Sequence, residues 1–184
     1  MGENKSLLIK SAMSYGFLLG IFWVIKYIFF AIGFTSPTMQ MIYWILTPMT
    51  LVFAVVFTLM YKISIGGKMS FFHAWQYGVL LYFFAALIVS LAHYAFYRYF
   101  APPDLIASSM NQAIEMMKMM DMSDQMKEVI VQMPTPTPIQ MTIQGIFANV
   151  FYGIILSIPV AALLYRNNLT MQMTKKDQQE EDNT

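Results

Sequence analysis

Residues Ser70 to Met133 read SFFHAWQYGVLLYFFAALIVSLAHYAFYRYFAPPDLIASSMNQAIEMMKMMDMSDQMKEVIVQM, and this stretch decides the fold. Its first part, to Phe100, is apolar and longer than the ~20 residues a helix needs to cross a hydrocarbon core. A polar-aromatic collar of His93, Tyr94, Tyr97, Arg98 and Tyr99 follows, and Pro102-Pro103 then break the run. Beyond the break, Leu105, Ile106, Ala113, Ile114, Met117 and Met120 recur at helical spacing in a methionine-rich segment. A lipid-length helix that passes through aromatic residues into an amphipathic one is a chain leaving a bilayer. The remaining sequence reads as more helices packed beside this one.

Composition supports that reading. Hydrophobic residues make up 58% of the 184 and charged residues only 11%, against roughly a quarter charged in soluble proteins. No acidic residue lies between Glu3 and Asp104, as expected where an ionised carboxylate would sit in hydrocarbon. A net charge of +1 gives no footing for nucleic acid. Without cysteine there is no disulfide, thiol chemistry or thiolate metal site. The N-terminal MGENKS fits a myristoylation pattern that is short enough to arise by chance. The apolar run after Lys10 exceeds the ~7–15 residues of a signal-peptide core, so it reads as a retained first span.

The expected architecture is all-α: an integral membrane four-helix bundle with an extracytoplasmic amphipathic helical segment between spans three and four. A cytoplasmic N-terminus (1–10) precedes spans at about 11–34, 38–61, 71–100 and 139–165. The extracytoplasmic segment covers 101–138, and 166–184 form a polar cytoplasmic tail expected to be disordered. Pro48 should bend the second span near Trp44, and Pro159 should kink the fourth. Gly66-Gly67 supply the turn before the third span, with Ser70 as its N-cap. The PTPTP run from Pro134 to Pro138 returns the chain to the membrane in extended form. Seven Lys and Arg flank the cytoplasmic ends of this arrangement and three the opposite ends, with Lys26 inside the bilayer. The charge bias places both termini of this multi-pass protein in the cytoplasm.

The block GGKMSFFHAWQYG from Gly66, with HYAFYRYFAPPDLI from His93, resembles a bacterial membrane family known as domain of unknown function 4199. The similarity extends over nearly the whole chain. It implies four spans, an aromatic exit from the third, and a helical segment outside the bilayer. It carries no catalytic residues. The resemblance also implies a partner, a membrane glycosyltransferase acting with polyprenyl-phosphate sugars.

Several residues are candidates for more than packing. Lys26 lies ~22 Å along a span starting at Ser11, and its side chain leans back toward the N-terminus and the hydrocarbon. It either faces a cavity and awaits an anionic lipid or substrate phosphate, or snorkels or pairs with Asp104. His93 and Tyr97 share one helix face, and Tyr94 and Arg98 another. The group His93, Tyr97 and Arg98 is a ligand-binding collar on one reading and an aromatic belt with an interfacial arginine on the other. Met116 to Met122 contain thioethers that suit soft metals, although an adaptable apolar surface explains them as well. Neither a metal site nor a cofactor is expected.

Small residues mark the seams. Gly16 and Gly20 continue a four-residue repeat from Ala12, fitting either a neighbouring helix or a second copy. Met141, Gly145, Asn149, Gly153 and Ser157 repeat in the same way on the fourth span, with Asn149 needing a hydrogen-bond partner. No HExxH, GxSxG or nucleotide-binding fingerprint is present, nor paired acids at membrane depth. The expected role is non-enzymatic: an accessory or scaffold subunit in the lipid bilayer. The alternatives are a small transporter or flippase of a lipid-linked or anionic substrate and, more weakly, methionine-based metal handling. A cavity at Lys26 would favour the transporter, and an exposed apolar groove the scaffold.

Overall fold

Four stretches free of Asp and Glu form helices long and apolar enough to cross a membrane: Lys5–Gly33, Pro37–Ser64, Phe71–Phe100 and Pro138–Tyr165. The computed structural model describes residues 2–33, 36–101, 115 and 136–182, with side chains described over 5–33, 36–101, 115 and 136–165. The elements are α1 (Gly2–Gly33), α2 (Pro37–Leu46), α3 (Met49–Ser64), α4 (Phe71–Ala95), a π-helical turn (Phe96–Phe100) and α5 (Pro138–Asp182). Among the described residues there is no strand. The chain is therefore an all-α, multi-pass membrane protein. Most of the Met-rich segment, with Asp104 and the proline pair Pro102-Pro103, lies outside the described residues.

Helix α4 is the axis of the bundle. It buries Ala74, Tyr77, Gly78, Leu81, Tyr82, Ala85, Ala86, Val89 and Ser90, which cover more than one stripe, because α1 packs on one side and α5 on another. Small residues set both approaches. A Cβ on Gly16 would come within 2.7 Å of Phe84 Cβ, and one on Gly20 within 2.6 Å of Ile88 Cβ. The small-residue face of α1 is thus occupied inside the chain by α4. On the other side Gly78 meets Ser157, and Gly153 meets Tyr82. Gly153 and Ser157 of the fourth-span repeat thus lie on the α4–α5 contact. Lipid-facing positions such as Phe72, Leu91, Phe147 and Phe151 remain exposed, as a protein solvated by acyl chains allows.

Within the second span α2 and α3 meet at a proline turn. Pro48 has no N–H to give Trp44 O, so that carbonyl accepts from Thr47 N at 3.3 Å, and the helical hydrogen bonding is interrupted between Leu46 and Met49 while Thr47 and Pro48 keep right-handed helical backbone angles. α2 packs chiefly against α1 and buries none of its own residues. Gly33 makes that packing close, because Gln40 stands where its Cβ would be.

At the α3–α4 turn Gly66 and Gly67 have φ of 92° and 80°, values that glycine alone adopts without strain. Ser70 then caps α4 by accepting from His73 N at 3.3 Å. This end of the bundle is polar inside. Tyr61 and His73 hydrogen-bond at 2.7 Å, and the Tyr61 ring stacks on Tyr77 at 4.2 Å. Lys62, 2% exposed, donates from Nζ to Leu164 O of α5 at 3.0 Å.

Two helices extend beyond the expected spans. α1 begins at Gly2, ahead of the span expected from Ser11, since nothing from Glu3 to Lys10 interrupts a helix. α5 stays helical to Asp182, where the polar composition suggests a disordered tail from 166. That stretch is polar, but it holds neither Gly nor Pro and is rich in Met, Gln, Lys and Glu, all good helix formers. Pro159 lies inside α5 without ending it.

Candidate functional site: a cationic cavity at one end of the bundle

Lys26 is seven residues from the end of α1 at Gly33, ~10 Å below it at 1.5 Å per residue. One turn of α1 carries Trp23, Lys26 and Tyr27 toward the same space, because positions three and four apart share a face. The break at Pro48 leaves α2 free to lie over that face and deliver Tyr43. Lys26 Nζ stands 5.1 Å from the Tyr43 ring centre and 6.0 Å from that of Trp23, both within cation–π range.

From the far side come Val89 and His93 of α4, Tyr97 of the π turn and Asn149 of α5. Together these side chains line a partly open cavity of about 250 Å³ to which all four spans contribute. His93 packs edge-on against Tyr27 at 4.2 Å. Its Nδ1 lies 3.3 Å from where a Cβ on Gly145 would be, so Gly145 makes room for the imidazole. The π turn, closed by Ala101 N donating to Phe96 O at 2.8 Å, sets the position of Tyr97 eight residues after Val89. Such turns are frequent at functional sites, and the extra residue in the turn re-aims the side chains that it carries.

Two of the cavity residues carry deeply buried polar atoms. Trp23 is 7% exposed, and its indole N–H is buried with no hydrogen-bond partner among the described residues. The Tyr27 hydroxyl is buried beside that of Tyr97. Each unsatisfied polar group in a bundle core costs free energy, on the order of 1–3 kcal/mol. Lys26 brings a basic amine, and none of the four spans contains an Asp or Glu to pair with it.

Of the four ligand-binding candidates read from the sequence, Lys26, His93 and Tyr97 come together here. Arg98 does not: it is exposed, with its guanidinium 6.0 Å from the Tyr99 ring. Asn149, a packing residue by its spacing, lines the cavity instead. Trp23 and Tyr27 escape sequence reasoning, although their spacing from Lys26 places them on its face. Tyr43 has no sequence signal, since its approach depends on where α2 lies.

The family model described as Protein of unknown function (DUF4199) matches residues 14–166. The chain belongs to this family. The matched region runs from the first turns of the membrane-embedded part of α1 to the end of the fourth span, so it takes in every cavity residue of this DUF4199 member. No curated protein and no solved structure matches the chain.

Proposed function

We propose that this protein is a non-enzymatic component of the bacterial inner membrane that binds an anionic, membrane-borne ligand in the Lys26 cavity, near the extracytoplasmic face. One observation carries the reading. A lysine without a carboxylate in any span shares a cavity with a buried indole N–H that has no partner among the described residues. Charged residues inside membranes mark ligand and ion pathways by default, and cation–π contacts lessen the cost of a buried ammonium without neutralising it. An anion would satisfy both the charge and the donors. This favours the handling of an anionic lipid over the accessory-subunit reading, and over transport of a neutral cargo.

The accessory or scaffold reading, with a membrane glycosyltransferase as partner, has one feature of its own. Met13, Phe17, Leu18, Phe84, Leu87 and Ile88 line an apolar groove of about 600 Å³ between α1 and α4. Such a groove accommodates a partner helix, and a lipid chain equally well.

Thermal unfolding in an uncharged detergent tests the binding reading. Anionic amphiphiles should raise the midpoint of the wild-type protein, with saturation at a hundredfold excess over Kd worth about 2.7 kcal/mol. Lys26→Gln should remove that increment. Equal stabilisation by a neutral amphiphile such as monoolein, or an undiminished shift in the variant, would refute it.

A further inference from the structure

Helix α2 differs from its neighbours in how little holds it. Among the described helices it alone buries none of its residues, and Met41, Trp44 and Ile45 are at least 60% exposed. Its packing is chiefly on α1. Gln40 meets Gly33, and the Tyr43 ring lies 5.3 Å from that of Phe30 and 5.1 Å from Lys26 Nζ. We propose that α2 is a hinged lid on the Lys26 cavity, which swings away from α1 to open the cavity to the surrounding lipid.

The hinge is at Thr47 and Pro48. Pro48 cannot donate to Trp44 O, and beyond it Thr50 N donates to Thr47 O at 3.2 Å and Leu51 N to Pro48 O at 3.1 Å. Bonds from residue i to i−3 within a helix are a feature of hinges. A carbonyl left open in hydrocarbon is costly, but the hinge supplies its own donors. Thr47 N reaches Trp44 O, and the Thr47 hydroxyl donates to Tyr43 O at 2.9 Å. Below the hinge α3 is fixed by Ala54, Thr58, Tyr61 and Lys62, each at most 2% exposed. At its other end α2 starts from Ser36, which is extended and makes no side-chain cap. Four residue steps separate Gly33 from Pro37, a tether that reaches ~13 Å when extended.

The bilayer lowers the cost of this motion. Acyl chains solvate the apolar face of α2 about as well as α1 does. Opening gives up packing and the cation–π contact of Tyr43 with Lys26. Among the described residues Tyr43 is the one that α2 contributes to the cavity, while the other walls belong to α1, α4, the π turn and α5, which pack on one another. Moving α2 therefore widens the cavity and leaves the rest of its lining in place. The lid's role as an entrance rests on the anion-binding reading above; its motion does not.

The chain has no cysteine, so introduced pairs are read without background. Spin labels at Met41→Cys on α2 and Phe147→Cys on α5 report the lid, and labels at Val56→Cys on α3 and Phe147→Cys serve as reference; all three sites are exposed. Pulsed dipolar spectroscopy in nanodiscs should give two distances or a broadened distribution for the lid pair and one narrow distance for the reference. A disulfide between Gly33→Cys and Gln40→Cys then locks the free end of α2 on α1. A Cβ at position 33 lies 3.2 Å from Gln40 Cα, close enough for that bond. With dioleoylphosphatidylglycerol as probe and tryptophan fluorescence as signal, oxidation should slow association and release together by tenfold or more. Kd should stay nearly unchanged, and reductant should restore both rates.

Equal, narrow distributions for the two labelled pairs overturn the lid. Rates that oxidation leaves unchanged overturn it as the entrance. If Lys26→Gln binds the probe as tightly as the wild-type protein, the anion-binding reading falls and the spin-label distances alone decide the lid. The same distances decide it should the locked variant fail to fold.

Discussion

Lys26 has a rival partner in the sequence, Asp104, which lies just past the third span and outside the described residues. The two cases separate in a double-mutant cycle. With an anionic ligand as partner, Lys26→Met should leave unfolding in lipid-free detergent unchanged or slightly stabilised, and Asp104→Asn should add to it independently. If Asp104 is the partner, Lys26→Met alone should destabilise by a few kcal/mol and the double variant recover much of that loss. Trp23 gives a second readout at this scale. Its buried indole N–H has no partner among the described residues, so Trp23→Phe should cost ligand affinity through the lost donor more than it costs fold stability. How far this site is legible in the sequence depends on the residue. Lys26 announces itself, because a lone cation in an acid-free span has to be solvated by something. His93 and Tyr97 are visible as one face of a helix. Arg98 misleads, because sequence adjacency to Tyr97 puts it near the collar while helical rotation turns it outward.

At the scale of elements, the α1–α4 contact is the most exposed to substitution. Gly20→Val would drive a branched side chain into Ile88 Cβ, which already stands 2.6 Å from the position of a single added carbon. Overpacking of this kind costs about 1–3 kcal/mol, and the expected result is a lower unfolding midpoint with loss of α1–α4 proximity in a cysteine crosslinking assay. Pro48 acts differently. Pro48→Ala restores an N–H opposite Trp44 O and should fuse α2 with α3 into one straight helix. Stability should hold or rise, while Tyr43 moves off Lys26 and the anion-dependent midpoint shift falls. A variant with the shift intact would mean that the break does not serve the cavity. The proline is plain in the sequence and predicts a bend; that the segment before it leans on α1 is not, because this depends on Gln40 meeting Gly33. In the fourth-span repeat the four-residue spacing puts Gly153 and Ser157 on one face, which meets α4, while Asn149 of the same face lines the cavity.

For the whole molecule, orientation is the property the charge pattern addresses most directly. Cysteine replacing Ser64 or Gln178 should resist a membrane-impermeant thiol reagent in intact cells, and cysteine replacing Ser109 should react once the reagent reaches the outer face of the inner membrane. Labelling at 178 without labelling at 109 would invert the assignment. The bond between Lys62 Nζ and Leu164 O reaches further than the packing it completes. The two residues are 102 positions apart, so the acceptor leaves the ribosome long after the donor has entered the membrane. During that interval the nascent protein holds an ammonium at the end of its second span without the carbonyl that later receives it. Until the fourth span is in place, the other three lack the acceptor that this ammonium has in the folded chain. A chain ended before Pro138 should be cleared by membrane proteases faster than the same truncation carrying Lys62→Met. Co-expression of the missing fourth helix as a separate peptide should extend its lifetime in pulse-chase.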